Sequence, residues 1–436
     1  MILPVSGFSK KTKSEKLEWV AKTYLDNDTQ AIETLKKYWN SDEKLQELHD
    51  GFIENTLTNY YLPLGVAPNF LINDSLLAIP MVIEESSVVA AASNAAKFWL
   101  ERGGFSSEVI STTKNGQIHL NYFGRKSALE QFFSEVKPLL IESIFAIQKN
   151  MIQRGGGLLE LSLIDATHKL DGYYQLHCTF ETLDAMGANF INSCLETIAK
   201  TFEIAAQKFD GFHETKQYPE VVLSILSNYV PECMVKAKVS CPVDQLTTPQ
   251  FDGKTFATNF VRAVQIAKVE PRRAVTHNKG IMNGIDAVIL ATGNDFRAVE
   301  AGVHAYASKN GSYTSLTDAT IANGQFSFWI EIPLAVGTVG GLTSLHPLVK
   351  LAFQILQKPN AKQLMQIVAV AGLAQNFAAI RSLVTDGIQK GHMKMHLMNI
   401  LNQLEASSEE KEKAVHYFES NTVTHAAVIQ FVESLR

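Results

Sequence analysis

Three short stretches of the chain carry side chains that could move protons or stabilise negative charge. Glu84 and Glu85 lie directly before an alanine-rich run, Lys279 stands in a His-Asn-Lys-Gly stretch, and Asp295 ends a Gly-Asn-Asp turn. A carboxylic acid shielded from water can donate a proton, and a lysine can stabilise a developing oxyanion. Each stretch also has an ordinary explanation, because acids cap helix starts and lysines are common on surfaces. Taken singly, none of the three decides a function.

Two histidines near the C-terminus, His392 and His396, add a further candidate for acid–base chemistry. Their spacing of four would place both on one face of a helix, as in some zinc sites. The stretch lacks the glutamate of the HExxH motif, and no third ligand is apparent nearby. Since histidine titrates near neutral pH without any perturbation, we favour an acid–base role for one of them and predict no metal site.

Two glycine-containing turns could hold a phosphate group. One covers residues 337–341, after a predicted strand, and the other covers residues 184–189, at the start of a predicted helix. Backbone amides at such a helix start bind pyrophosphate. Neither turn matches GxGxxG or the Walker loop, so each is a weak signal for a nucleotide when read alone.

The composition is that of a folded, mildly acidic chain. Of 436 residues, 46% are hydrophobic and 19% charged, and the net charge is -5. These values exclude a disordered chain and give no electrostatic footprint of a general nucleic-acid binder. The four cysteines have no CxxC spacing, which argues against a disulfide framework and a zinc cluster. The first residues lack a signal-peptide core and the most apolar run, 367–374, is too short to span a membrane, so we predict a cytoplasmic protein.

The middle of the chain indicates a separate αβ unit. We predict a hairpin of strands 107–113 and 117–122 around Asn115-Gly116, a helix over 127–150, and a second hairpin of strands 158–164 and 173–180. A helix over 186–207 and a strand over 221–226 complete the order ββαββαβ. That order contains the βαββαβ unit of ferredoxin-like domains and differs from a Rossmann repeat.

The remaining segments are mainly helical. We predict surface helices over 14–50, strands and turns over 59–80, and a helix capped by Ser86 or Ser87. Residues 253–308 are predicted to be mostly helical, with Lys279 in a turn or helix start and partly shielded. Strands are predicted over 313–317 and 325–332, and helices from 347 onward. The predicted class is α+β: a large discontinuous, mainly helical domain (1–107 and 222–380), an inserted ferredoxin-like domain (108–221) and a C-terminal helical flap (381–436).

The ordered set of motifs resembles the 3-hydroxy-3-methylglutaryl-CoA (HMG-CoA) reductases, and among them the soluble bacterial class II enzymes. The matching stretches cover nearly the whole chain: ENT at 54–56, LPLGVA at 62–67, EESSVVAAAS at 84–93, DAMGAN at 184–189, RAVTHNKG at 273–280, ATGND at 291–295, GTVGG at 337–341 and GHM at 391–393. One departure is Ser86, where proline is common in the class.

The resemblance implies reduction of HMG-CoA to mevalonate and free CoA by two hydrides from a nicotinamide cofactor. It assigns an oxyanion-stabilising role to Lys279, proton donation to Glu85, electrostatic coupling of the two to Asp295, and protonation of the departing thiolate to His392. The residues matched to substrate contacts are Ser87, Arg273, Asn283, Gln375 and Asn376. Those matched to the cofactor are Asp184, Met186, Gly187, Asn189, Gly337, Val339 and Gly340.

The resemblance further implies an obligate homodimer with sites between subunits, each closed by the C-terminal flap. For the cofactor we predict NADPH, with NADH as the alternative. The stretch 147–154, ahead of the glycine turn 155–157, contains no acid and carries Lys149 and Arg154, which could pair with a 2′-phosphate.

Three alternatives remain open at this point. The chain could oxidise mevalonate in the degradative direction, since one site catalyses both directions. It could bind CoA or a nucleotide without catalysis, although the set Glu85, Lys279, Asp295 and His392 is intact. It could be an acyl-CoA hydrolase, although the sequence has no GxSxG nucleophile motif.

Overall fold

The computed structural model describes residues 7–213, 216–385, 397–398, 400–418 and 421–436. The chain divides into two compact units, Met1–Pro63 and Leu64–Arg436. The helices are α1 Lys13–Tyr24, α2 Thr29–Lys37, α3 Glu43–Asp50, α4 Val88–Leu100, α5 Lys126–Ser143, α6 Phe145–Gln153, α7 Ala188–Ala206, α8 Asp210–His213, α9 Gly253–Val269, α10 Pro271–Ala291, α11 Phe296–Ala307, α12 Leu342–Leu345, α13 Pro347–Ile355, α14 Ala361–Val384, α15 Ser408–Tyr417 and α16 His425–Leu435. The strands are β1 Leu64–Ile72, β2 Ser75–Val82, β3 Ser106–Val109, β4 Lys114–Asn121, β5 Gly157–Asp165, β6 Tyr173–Glu181, β7 Glu220–Leu226, β8 Met234–Pro242, β9 Thr317–Ala322 and β10 Gln325–Pro333.

The first unit consists of the three short helices α1 to α3. Thr12 and Glu15 form a reciprocal capping box at the start of α1, and Asp28 and Asp42 cap α2 and α3. These caps satisfy amides that the first turn of each helix leaves unpaired. The prediction of surface helices over 14–50 is confirmed.

A four-stranded antiparallel sheet in the order β5-β6-β4-β7 forms the αβ unit. Helices α5 and α7 pack on it and on each other, around a separate apolar core that includes Leu120, Leu176 and Phe202. The path β4-α5-β5-β6-α7-β7 with this strand order is the ferredoxin-like arrangement. The α+β class and the ferredoxin-like sheet are therefore confirmed.

The first predicted hairpin of this unit is wrong. Asn115 and Gly116 lie inside β4, whereas β3 pairs with β8 in another sheet. A Cβ at Gly116 would come within 2.6 Å of the Leu195 side chain and 3.0 Å of the Leu226 backbone, so this glycine serves close packing rather than a turn. The single helix predicted over 127–150 is also wrong, because two helices, α5 and α6, cover this stretch. The Ser143 hydroxyl bonds to the Leu140 carbonyl where α5 ends, a local bond that competes with helix continuation.

The larger part of the second unit is built on the antiparallel sheet β3-β8-β10-β9, with β1 and β2 as a separate hairpin. Strand β8, which the sequence analysis did not predict, lies between β3 and β10. Helices α4, α9, α10, α11 and α14 share its large apolar core with the strands. The strand predicted over 313–317 begins only at Thr317, because the Asn278 amide binds the Thr314 carbonyl and the Leu316 amide and holds that segment as a loop.

Helix α14 is the one helix among the described residues that is long and apolar enough to cross a membrane. The apolar run 367–374 is only the middle of this helix, so the predicted apolar length was too short. In the fold, 67% of its most apolar window is buried. A helix that is apolar on every face is typical of a protein interior as well as of a membrane span.

The C-terminal helices have a third apolar core of their own. It includes Leu397, Leu401, Ala414 and Val428. Ser407 and Glu410 form a capping box at the start of α15, and Arg436 pairs with Glu410 at 2.9 Å. The helical character predicted for this part of the chain is confirmed for its described residues.

Candidate active site

Helix α10 presents Lys279 from its middle and not from a turn or a helix start, which corrects the sequence interpretation. The glycines near Lys279 suggested a turn, but one of them instead allows two helices to approach closely. A Cβ at Gly284 would lie 2.5 Å from the Ala371 carbonyl oxygen of α14. The sequence places glycine where α10 and α14 meet, and this contact sets how closely the two helices approach.

Lys279 forms an ion pair with Glu85. Its Nζ lies 2.6 Å from Glu85 Oε2, and Asn283 Nδ2 lies 3.4 Å from the same oxygen. Asn283 is one turn after Lys279, so both side chains leave the same face of α10. The Lys279 side chain is 60% exposed and that of Glu85 36%, so the lysine is less shielded within one chain than predicted.

Glu85 and Ser87 are positioned by the turn that leads into α4. Glu84 is exposed while Glu85 is half-buried, which agrees with the assignment of the second acid to the site. Ser87 occupies the N-cap position with φ 75°, and its side chain caps no helix amide, which corrects the predicted serine cap. A non-glycine residue in this left-handed region is strained, and such strain is concentrated at functional sites.

An open cleft of about 940 Å³ collects several of these groups. Glu85, Ser87, Asn283 and Gln375 all line it, and they come from the α4 turn, α10 and α14. Gln375 Oε1 is buried and has no hydrogen-bond partner in the described structure. A buried acceptor without a partner carries a desolvation penalty that a bound hydroxyl would relieve. We call this opening the cleft, and we call Glu85, Ser87, Asn283 and Gln375, together with Lys279, the cleft residues.

Two residues assigned to substrate contacts do not line this cleft. Asn376 is 1% exposed, and its amide is occupied by Thr317 and by the His277 carbonyl. Arg273 lies on α10 about 9 Å along the axis from Lys279. Burial lowers the pKa of the Arg273 guanidinium, so an anion near it would relieve a desolvated cation.

The glycine turns of the sequence analysis lie together elsewhere in the fold. The Thr338 amide donates to the Asp184 carbonyl at 2.8 Å, and Ala185 and Val339 form a parallel bridge. Asn294 Oδ1 accepts from the Gly337 amide at 2.8 Å. We call residues 184–189, 337–341 and Asn294 with Asp295 the glycine-turn cluster.

Asp295 belongs to this cluster and not to the cleft. It caps α11 through the amides of Arg297 and Ala298 and pairs with the Arg297 guanidinium at 2.9 Å. From Lys279 to the end of α10 there are twelve residues, or about 18 Å of helix. Among the described residues no hydrogen bond or ion pair joins Asp295 to Lys279 or Glu85.

Comparison with known proteins identifies the family. The family model described as Hydroxymethylglutaryl-coenzyme A reductase matches residues 12–397. The chain belongs to this family.

Individual relatives agree with that assignment. The 3-hydroxy-3-methylglutaryl-coenzyme A reductase of Archaeoglobus fulgidus is 36% identical over 94% of this chain and 89% of its own length. A probable reductase of Borreliella burgdorferi is 38% identical over 84% of this chain and 83% of its own length.

A solved reductase of Streptococcus pneumoniae superposes with a TM-score of 0.73 at 32% identity and full coverage of both chains. Another structure of the class II enzyme from that organism, described as bound to NADPH in open conformations, is 33% identical with a TM-score of 0.71. It covers 88% of this chain and 100% of its own. The predicted likeness to class II HMG-CoA reductases is confirmed.

The residues matched to the family's cofactor site belong to the glycine-turn cluster, except Lys149, which lies on the αβ unit. Gly187 is the N-cap of α7 with no side-chain cap, Met186 precedes it, and Asn189 is exposed in the first turn. A Cβ at Gly340 would meet no atom within 4 Å, so the turn is open there. Lys149 is exposed on α6. The structure therefore gathers the two turns but leaves Lys149 as a surface cation of the αβ unit.

His392, assigned to acid–base chemistry, lies outside the described residues, as does His396. Over the described ranges no group of three or more His, Cys, Asp or Glu is placed to hold a metal ion.

The contribution of Asn294 was not predicted from the sequence. Its side chain connects the turn before Asp295 to the Gly337 turn. The available signal was an asparagine between a glycine and an aspartate. Its long-range partner cannot be inferred from spacing within one turn.

Proposed function

We propose that this chain reduces HMG-CoA to mevalonate and free CoA, with two hydrides from a reduced nicotinamide. The observation that carries the proposal is the 2.6 Å pair of Lys279 and Glu85 at a cleft that Asn283, Ser87 and Gln375 also border. The pair combines a cation for a developing oxyanion with a carboxyl group for proton transfer. Membership of the HMG-CoA reductase family indicates the substrate on which this pair acts.

The cleft residues and His392, whose role comes from the family resemblance, divide the chemistry as follows. Lys279 stabilises the oxyanion that forms on the thioester carbonyl and again on the aldehyde oxygen. Glu85, held by Lys279 and Asn283, delivers the proton that this oxygen takes up. His392 protonates the departing CoA thiolate. The overall reaction converts HMG-CoA, two reduced cofactors and two protons into mevalonate, CoA thiol and two oxidised cofactors.

The wider cleft suits a CoA thioester. Lys97, Arg102 and Arg381 line it together with Glu85 of the catalytic pair. CoA carries several phosphate groups, and guanidinium and ammonium groups are the usual partners of phosphate. The Arg102 guanidinium is oriented by the Phe98 and Gln245 carbonyls, so one of these cations is held in place before a ligand arrives.

The glycine-turn cluster is the proposed cofactor site, with NADPH preferred over NADH. The class II relative from S. pneumoniae is described as bound to NADPH. In this chain the N-terminus of α7 has no side-chain cap, and an open turn at Gly340 lies in the segment bridged to the turn before α7. Unpaired amides at a helix start suit a pyrophosphate. When bound, the cofactor supplies the hydrides, and Asp184, Met186, Gly187, Asn189, Gly337, Val339 and Gly340 are the residues proposed to hold it.

We further propose a homodimer in which the cleft of one subunit meets the glycine-turn cluster of the other. Asp295 is about 18 Å of helix from Lys279 within the chain, yet the assigned roles bring them together. A second subunit removes this conflict. Leu345, Leu348 and Leu351 on α12 and α13 are each about half exposed, and α12 packs against Gly293 beside Asp295. Such an apolar row is typical of a subunit interface.

The domain division and the location remain proposals of the same kind. Three separate apolar cores support a large domain, an inserted domain and a C-terminal helical part. Burial of α14 supports a soluble protein, and the four free, buried cysteines support a reducing compartment such as the cytoplasm.

The test is a stoichiometric assay with purified, chelator-treated protein. Two NADPH should be oxidised per HMG-CoA consumed, with mevalonate and one CoA thiol as products. A ratio of one, or activity that requires an added metal, contradicts the proposal. Consumption of HMG-CoA without cofactor oxidation identifies a hydrolase instead.

A further inference from the structure

Directly behind the cleft, three buried polar side chains form a closed ring of hydrogen bonds. His277 Nε2 lies 2.6 Å from Thr317 Oγ1, which lies 3.0 Å from Asn376 Oδ1. Asn376 Nδ2 then donates to the backbone carbonyl of His277 at 3.2 Å. The ring joins α10, β9 and α14, and its members are at most 2% exposed.

The direction of each bond in the ring follows from the chemistry of its atoms. Asn376 Oδ1 can only accept, so the Thr317 hydroxyl gives its one proton to it. Thr317 Oγ1 must then accept from His277, which fixes the imidazole as the Nε2–H tautomer. His277 Nδ1 is left as a buried acceptor without a partner in the described structure. Burial and the Arg273 charge lower the pKa of His277 to about 3, so the ring holds a neutral imidazole.

The ring residues adjoin residues of the cleft but do not line it. His277 precedes Lys279 by two positions on α10, and Asn376 directly follows Gln375 on α14. We propose that His277, Thr317 and Asn376 act as a positioning ring that holds Lys279 and Asn283 in register with Gln375. The inference rests on the proposed function, and it changes Asn376 from a substrate contact to a positioning residue.

The geometry explains why these helices need such a ring. The contact of Gly284 with Ala371 is a backbone contact without directional bonds, so it sets the spacing of α10 and α14 but leaves them free to slide. Directional hydrogen bonds oppose sliding. Even a 1 Å misplacement of catalytic groups can reduce a rate by about 10²-fold. A neutral histidine also places no second cation beside Lys279 to compete for Glu85.

The experiment replaces the hydroxyl of Thr317. Thr317→Val keeps the shape but leaves His277 Nε2–H and Asn376 Oδ1 unpaired, whereas Thr317→Ser keeps the hydroxyl. Thr320→Val, at an exposed position of the same strand, is the matched control. All are assayed at a temperature where circular dichroism shows each variant fully folded.

We expect Thr317→Val to lower kcat at least about 10-fold with an unchanged KM for NADPH, because no hydrogen bond among the described residues joins the ring to the glycine-turn cluster. Thr317→Ser should restore kcat to within about 3-fold of wild type, and Thr320→Val should leave it unchanged. A folded Thr317→Val with wild-type kcat overturns the proposal. The proposal is also overturned if Thr317→Ser loses kcat to the same extent, or if the KM for NADPH rises as kcat falls. Either result would indicate that the whole fold has loosened.

A second measurement does not depend on the reaction. Nitrogen-15 spectra of the histidines, assigned with His277→Gln, should show His277 neutral and protonated at Nε2 from about pH 6 to about pH 8. An Nδ1–H tautomer or an imidazolium in that range overturns the ring. If the wild-type protein does not reduce HMG-CoA, the proposed function fails while this measurement still decides the ring.

Discussion

The cleft and the glycine-turn cluster use different parts of the chain for contact. In the cleft, side chains project from helices: Lys279 and Asn283 from α10, and Gln375 from α14. In the cluster, the contacts run largely through main-chain atoms, from the Thr338 amide to the Asp184 carbonyl and from Ala185 to Val339. Removing one side chain should therefore abolish a chemical step in the cleft, whereas the cluster responds to changes of backbone shape.

The largest effect is expected from Lys279→Ala. Reduction of HMG-CoA and reduction of added mevaldehyde should both fall about 10³-fold, because both steps build charge on the same oxygen. Steady-state rates of cofactor oxidation measure both. Arg272→Ala, an exposed cation in the first turn of the same helix, is the control and should retain wild-type rates.

The contrast with His392→Gln sharpens this result. That variant should lower the rate with HMG-CoA about 10²-fold and spare mevaldehyde, since only the first step releases a thiolate. Equal losses of His392→Gln on both substrates would refute the division of labour between Lys279 and His392.

The next effect tests whether the two regions meet across a subunit interface. Gly187→Val should disable the cluster, because φ is 95° there and a Cβ would lie 2.5 Å from the Thr182 side chain. Mixed in equal amounts with Lys279→Ala, it should recover about a quarter of wild-type activity, since half of the dimers are hybrids with one intact site in two. Exchange is verified by native mass spectrometry. No recovery after complete exchange places each site within one chain.

A smaller effect is expected at Lys149, on the surface of the αβ unit. Lys149→Glu should shift the ratio of kcat/KM for NADPH and NADH by about 10-fold toward NADH, because a carboxylate repels the 2′-phosphate. Lys208→Glu, on another exposed part of the domain, should leave the ratio unchanged. A wild-type preference for NADH, or equal shifts in both variants, contradicts a contact at Lys149.

The smallest effect concerns the cysteines, which belong to neither region. Burial raises the pKa of Cys178 and Cys194 to about 12 and that of Cys233 and Cys241 to about 11. A raised pKa leaves almost no thiolate at pH 8. A colorimetric thiol reagent should titrate none of them in the native protein and all four in denaturant, with activity retained. Rapid native labelling of any one would contradict this burial.

The sequence predicted the cleft residues better than the glycine-turn cluster. The acid before the alanine-rich helix, the βαββαβ order within the αβ unit and the mostly helical character of residues 253–308 follow from residue pattern and periodicity. The family resemblance then named Glu85, Lys279 and Asn283 individually, and the structure brings those three together.

The remaining features depend on contacts far apart in the chain. Gly116 and Gly284 look like turn residues in the sequence, yet each permits a close approach by a segment many positions away. Strand β8 pairs with β3 and β10, more than 80 residues distant on either side of it. The hydroxyl of Thr317 gains its role from partners on two helices. Spacing within one segment contains none of this information.

The apolar length of α14 has a consequence for the synthesis of the protein. A helix buried on nearly all its faces would expose a membrane-like surface if it emerged from the ribosome before its partners. The elements that pack on it, α4, β3, β8, α9, α10 and β10, all precede it in the chain. They can therefore form a receptive groove before residues 361–384 are translated, and the order of translation itself shelters the segment from aggregation and from membrane insertion.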